Sequence, residues 1–285
     1  MRAISSSPAD SGSASAADSH SPPADSHSPH SGSPISASLE DEARRLLAAA
    51  DAGAIPFGLI GGMGIQLLLG ERMEVSLRRP VGDLDFVTTR RAGAAVEALL
   101  AAHGWEPEPR FNTLNGARRL LFNEPAGERR VDVFVGSFQM CHSLPLAERL
   151  REGGAIFPAA ELALSKLQIV ALNAKDRSDL YALLLACEIA EDDLHGGVPA
   201  IDAARLAALA GADWGLHHTL ELNLARLRRG LAETPLARRQ RELVEQRIAE
   251  LAGALDRAPK SRAWRLRARI GERRRWYEEP EEVTR

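Results

Sequence analysis

The segment GDLDFVTT, residues 82–89, limits the fold more than any other part of the chain. Its apolar residues mark a strand, yet it carries two aspartates one residue apart, Asp83 and Asp85. Side chains two apart on a strand share a face. Both carboxylates therefore project together, while Leu84 and Phe86 turn to the core. An isolated buried charge is too costly to keep, and two like charges this close push one toward its neutral form unless a cation holds them. The pair must sit at a solvated strand end or beneath something positive. A divalent cation that prefers hard oxygen ligands, Mg²⁺ or Mn²⁺, meets the second condition.

Two neighbouring segments extend this reading. FGLIGGMGIQLLLG, residues 57–70, begins as a buried strand and breaks at Gly61 and Gly62. Without a Cβ, these glycines let backbone N–H groups approach phosphate oxygens, and the helix that follows offers its positive N-terminus. In RRVDVFVG, residues 129–136, Asp132 is the single acid in an otherwise apolar strand. Placed beside Asp83 and Asp85, it completes a three-carboxylate cluster. Such a cluster is what two metal ions ~3.5–4 Å apart require in phosphoryl chemistry. Each piece has a plainer reading: Asp-x-Asp is common at solvated strand ends, and Gly-Gly is often only a tight turn. Their order, spacing and apolar flanks together point to a nucleoside-triphosphate site.

These residues resemble the nucleotidyltransferase superfamily of the DNA polymerase β type, through Gly61–Gly62, DLD at 83–85 and VDV at 131–133. The resemblance runs over roughly residues 57–185. It implies that Asp83, Asp85 and Asp132 bind Mg²⁺ or Mn²⁺, with Asp132 also a candidate base. An NMP would then pass from an NTP to an acceptor hydroxyl, with pyrophosphate leaving. A second match, ELALSKLQIVALNAKDRSDLYALL at 161–184, is similar to AbiEii-type nucleotidyltransferases, which act as toxins in bacterial toxin–antitoxin pairs. It implies nucleotide contacts for Lys166, Lys175, Asp176 and Asp179, and an antitoxin-like partner. Asp176 and Asp179 also have an explanation as acids favoured in the first turn of a helix. The position before the first aspartate, usually Ser or Thr in the superfamily, is Gly82 here.

The pattern predicts an α/β (α+β) nucleotidyltransferase domain with a small mixed sheet over 38–150, then a helical domain over 151–256. Strands are expected at 57–60, 83–88, 117–122 and 130–135, and helices at 39–52, 63–69 and 92–103. Helices alone are expected beyond Gly136, at 159–173, 177–190, 200–209, 216–229 and 236–255, the last opened by Thr234-Pro235. Residues 1–37, rich in Ser, Pro and His, read as a disordered tail, in which His20, His27 and His30 could hold a metal only weakly.

The final segment, 257–285, interleaves Arg265, Arg267, Arg273, Arg274 and Arg275 with Trp264, Trp276 and Tyr277. Such interleaving suits an RNA backbone and stacked bases. Equally, it suits tryptophans packed on the body with solvated or paired arginines. The net charge of −3 implies no global attraction to polyanions. Cys141 and Cys187 form no CxxC pair and no signal peptide is recognisable, which predicts a reducing cytoplasm. Their spacing with His142 and His195 fits no standard structural zinc site, and His217-His218 reads as half-exposed surface. No apolar run is long enough to span a bilayer, so no membrane partner is expected. The acceptor stays open among small molecule, RNA and protein. The competing class is a non-catalytic nucleotide- or RNA-binding module on the same fold.

Overall fold

The computed structural model describes Ile35 and residues 38–125 and 127–279; the tail and its histidines lie outside them, as do residues 280–285. Helix α1, Leu39–Ala52, opens where the Ser38 hydroxyl accepts from the Asp41 N–H at 3.3 Å. Glu40, Asp41 and Glu42 fill its first turn, where the helix dipole favours acids. Glu42 is buried and accepts the Trp105 indole N–H at 2.7 Å, tying α1 to the segment after the third helix.

Six strands form one mixed sheet. They are β1 Phe57–Ile60, β2 Asp83–Thr88, β3 Glu106–Pro107, β4 Arg119–Asn123, β5 Arg130–Val135 and β6 Gly154–Ile156. Their spatial order is β3-β4-β5-β2-β1-β6; the β2–β5 and β1–β6 pairs are parallel and the others antiparallel. Helix α2, Gly61–Leu69, leaves β1 directly, α3 is Gly93–Ala102, and α4 is Pro109–Asn115.

Alternation along the strands decides what faces what. Leu84, Phe86, Val131, Val133 and Val135 pack with Ala43, Leu46 and Val96 of α1 and α3. Phe57 stacks on Phe86 at 4.0 Å between ring centres. On the other face, Val87 and Phe134 share a core with the helical half: α5 Ala159–Leu167, α6 Ala174–Ala186, α7 Ala203–Ala212, α8 Trp214–Gly230 and α9 Arg238–Arg257. Asp83, Asp85 and Asp132 project toward that second face. The second face of the sheet and the later helices thus share one apolar cluster, and the face toward α1 and α3 forms another.

Several expectations need correction. The segment beyond Gly136 is not purely helical, because β6 joins the sheet beside β1. A side chain at Gly154 would meet the Leu47 carbonyl oxygen at 2.1 Å, so the close docking of β6 on α1 depends on this glycine. The single helix expected at 159–173 ends at Leu167. Its freed carbonyls are satisfied from α8: Asn223 donates to the Leu167 and Ile169 oxygens and Arg226 to that of Val170. Asn173 then caps α6, accepting from the Asp176 N–H at 3.0 Å, so α6 starts earlier than 177 and ends at Ala186.

Helix α9, expected over 236–255, begins after Ala237, since the Thr234 hydroxyl closes the preceding turn on the Leu231 carbonyl. Helix α10, Arg262–Ile270, occupies the region whose residues alternate like a strand. Ser261 caps it, and Trp264 packs on His217, which is buried rather than half-exposed.

Candidate active site

A cleft of about 820 Å³ opens where β2, β5 and the start of α2 meet α5 and α6; Asp83, Asp85, Gly62, Arg130, Lys166 and Lys175 are among its lining residues. The strand register sets its floor. Asp85 lies opposite Asp132 on β5 and opposite Ile60 on β1, and Asp83 lies opposite Arg130. The three acids named from the sequence therefore stand on one sheet face at one end of two adjacent strands.

Gly61 is fitted to this floor. Its φ is +69°, a conformation glycine adopts without cost, and a Cβ there would lie 2.1 Å from Asp85 Oδ2. The start of α2 thus closes directly on the Asp85 carboxylate. At Gly62, a Cβ would lie 2.6 Å from a guanidinium nitrogen of Arg79. Both glycines are required by what packs against them, one an acid and the other a cation.

Among the described residues, no hydrogen bond or ion pair reaches the side chain of Asp83 or Asp85. The Asp85 side chain keeps some surface on the cleft, yet protein surrounds its carboxyl. Burial, and then the neighbouring charges of Asp83 and Asp132, push its pKa up to about 8 against the weaker pull of Lys166 and Arg119. Asp132 is different. Arg119 of β4 donates through Nε to both its carboxylate oxygens, at 2.8 and 3.1 Å, and through Nη2 to one of them. Burial still raises the Asp132 pKa, although the Arg119 hydrogen bond and charge oppose it. Arg119 also lies over the Phe134 ring at 5.0 Å, which fixes the guanidinium plane.

The residues of the AbiEii-like segment form a second charge group on the opposite wall. Lys166 Nζ lies 2.9 Å from Asp176 and 3.3 Å from Asp179. Asp179 is fully buried and also receives two hydrogen bonds from Arg79, at 2.9 and 2.6 Å. Burial alone would lower the Lys166 pKa, but Asp176 and Asp179 outweigh it and raise it, with a further contribution from Asp85. Lys166, Lys175 and Asp176 line the cleft, whereas Asp179 stands behind Lys166 and Arg79 as their anchor.

Arg79 and Arg119 escaped the sequence reading. Arg79 lies in a segment without periodicity, and no spacing marks it. Arg119 had an indirect signal: a buried Asp132 demands a cation, and β4 carries one at its start.

The C-terminal arginines do not line this cleft. Arg267 donates to the Gly271 and Arg274 carbonyls and lies over Trp214, and Arg275 pairs with Glu279. Arg265, Arg273 and Arg274 are exposed. Trp276 donates its indole N–H to Thr219, whose hydroxyl also meets the His142 ring. His195 is exposed, with Glu188 at 3.6 Å. Elsewhere, His217, Glu221 and Asp256 bring ligand-type atoms within 4.8 Å of one another, beside the charge of Lys260. No helix among the described residues is long and apolar enough to cross a membrane. No family model, no curated protein and no solved structure matches the chain.

Proposed function

We propose that this chain is a metal-dependent nucleotidyltransferase that moves an NMP from an NTP onto an acceptor hydroxyl. One observation carries the reading. Asp83 and Asp85 line the cleft with no side-chain ion pair among the described residues, Asp85 is in register with Asp132, and the start of α2 is shaped around Asp85. Stacking three acids with only Arg119 paired to one of them is electrostatically unfavourable, as the raised proton affinity of Asp85 records. Hard carboxylate donors in this number fit Mg²⁺ or Mn²⁺.

Asp83 and Asp85 would hold the cation, with Asp132 as the third ligand. Arg119 does not prevent this, because a carboxylate has about four lone-pair sites and the guanidinium fills only some. When bound, the metal supplies charge neutralisation of the triphosphate and of the leaving pyrophosphate. Gly62 at the start of α2 would offer its backbone N–H to the phosphates, with Gly61 behind it allowing the tight turn, and Lys166 and Lys175 add cationic charge from the opposite wall. The acceptor oxygen forms a bond to the α-phosphorus as the α–β phosphoanhydride bond breaks. Pyrophosphate departs with the electron pair. The hydroxyl proton passes to Asp132.

The test is label transfer. Protein and Mg²⁺ are incubated with each α-labelled NTP and a cell extract as acceptor pool, beside the Asp83→Ala/Asp85→Ala double variant. Label moving onto RNA, protein or a small molecule in the wild type alone supports the reading and identifies the acceptor class. A second reading, a module that binds nucleotide without chemistry, draws on the Arg119 hold on Asp132. It expects NTP binding with no transfer from any of the four labels.

A further inference from the structure

Beside the cleft lies a second cavity of about 570 Å³, lined by Arg177, Arg226, Arg229, Ser178 and Tyr181 among others. The two share a wall. Asn173, Lys175 and Asp176 face the cleft, while Leu172, Ala174, Arg177 and Ser178 face the second cavity. In the same way Arg79 and Pro80 line the one and Leu77 the other. A ligand longer than a nucleotide could therefore occupy both.

The second cavity is cationic in a chain whose net charge is −3. Glu233 is the one acid among its lining residues, against three arginines. Two of the arginines are braced by backbone carbonyls: Arg226 on Val170 at 2.6 Å, and Arg177 on Leu172 at 3.2 Å. Arg229 is exposed on the last turn of α8. Tyr181 donates its hydroxyl to the Leu227 carbonyl and so braces α6 against the same stretch of α8. Guanidinium groups held at a fixed spacing recognise phosphate through paired, charge-assisted hydrogen bonds. A neutral acceptor, such as an unphosphorylated sugar or a protein hydroxyl, would gain nothing from them.

We propose that this cavity is a phosphate-binding subsite, through Arg177, Arg226 and Arg229, for the phosphate-bearing part of the acceptor. The inference rests on the transferase reading for the word acceptor, but the phosphate subsite stands or falls on its own. The phosphate can belong to a nucleic-acid strand or to a small phosphorylated molecule.

Binding is measured without metal or NTP, so that no transfer occurs. Two probes are used: a fluorescein-labelled single-stranded RNA 12-mer by anisotropy, and inorganic pyrophosphate by calorimetry. The Arg229→Glu variant changes an exposed side chain and is expected to fold. Arg228→Glu is the control, since Arg228 lies on the same helix, pairs with Glu245 and does not line the cavity. We expect Arg229→Glu to weaken at least one probe by about tenfold or more, as for loss of a hydrogen bond between charged groups, while Arg228→Glu leaves it unchanged.

If the strand is the natural source, Arg229→Glu also flattens its salt dependence, by about 0.7 in log–log slope for each phosphate no longer neutralised. Dependence on Arg229 for pyrophosphate alone would assign a small phosphorylated acceptor. Equal effects of the two variants, or none, would overturn the proposal. Mg²⁺–NTP binding is measured on the same proteins. If wild type fails to bind NTP while anion binding still depends on Arg229, the transferase reading falls and the subsite remains.

Discussion

The two walls of the cleft solve the same electrostatic problem in opposite ways. On the helical wall, Lys166, Arg79, Asp176 and Asp179 bring two positive and two negative side chains together, each ionic head within 3.3 Å of an opposite one. On the sheet wall, Arg119 pairs with Asp132, while Arg130 lies opposite Asp83 on the neighbouring strand and no side-chain ion pair among the described residues reaches Asp83 or Asp85. The first group is complete without a ligand. The second, in the function proposed above, is completed by a cation added from outside. A closed ion-pair cluster fixes the relative position of helices and loops, whereas an open one stores binding potential.

Removing the acids of the open wall should have the largest functional effect. Asp83→Ala/Asp85→Ala is expected to lower transfer by about 10³-fold or more, the scale of the several kcal/mol that metal-borne charge stabilisation contributes. The same change should leave metal-free stability unaltered or raised, read as a thermal midpoint. Equal loss of fold and activity would erase the contrast between the walls. On the closed wall the signs reverse. Asp179→Ala strips a fully buried partner from both Arg79 and Lys166, and breaking a buried pair costs about 3–5 kcal/mol. Chemical denaturation should show that loss with or without Mg²⁺.

Gly61→Ala sharpens the comparison from the backbone side. A Cβ at φ +69° and 2.1 Å from Asp85 forces the acid or the helix start to move. We expect about 1–3 kcal/mol of destabilisation, with metal affinity reduced in the same protein. A pH effect comes from the same sheet-wall acid. The Asp85 pKa is raised from the ordinary range near ~4 to about 8 in the folded protein. The unfolded chain releases this proton near pH ~4 and the folded one only near 8. Metal-free stability from this group is therefore full below the lower value and declines as pH rises through the upper one. The slope is at most about 1.4 kcal/mol per pH unit. Asp85→Asn should flatten that decline, and Mg²⁺ should oppose it; a wild-type profile already flat from pH 4 to 8 would contradict the assignment.

The sheet wall was legible in the sequence and the helical wall was not. Asp83, Asp85 and Asp132 stand out because a charge breaks an apolar alternation of period two, and that period also determines which face they share. Gly61 was marked by its place between strand and helix. Lys166 and Asp176 were named only through a resemblance, since helix first turns and polar helix faces carry such residues routinely. Arg79 could not be read at all, because its partner Asp179 is 100 residues away and irregular backbone has no periodic signature. Strand β6 was missed for a related reason. Its three residues are too few to display alternation, and it pairs with β1 across roughly 100 positions of chain. Local pattern reveals what a residue is set against in its own strand, not what the fold later brings to it.

The central claim is that the sheet wall is completed by a divalent cation. Isothermal titration of Mg²⁺ into the metal-free protein at pH 7, in two buffers of different ionisation enthalpy, tests it most directly. We expect a binding isotherm whose heat depends on the buffer, because Asp85 surrenders its proton as the cation enters, and no isotherm in Asp83→Asn/Asp85→Asn. An absence of binding in the wild type, or binding of equal strength in the double variant, would contradict it.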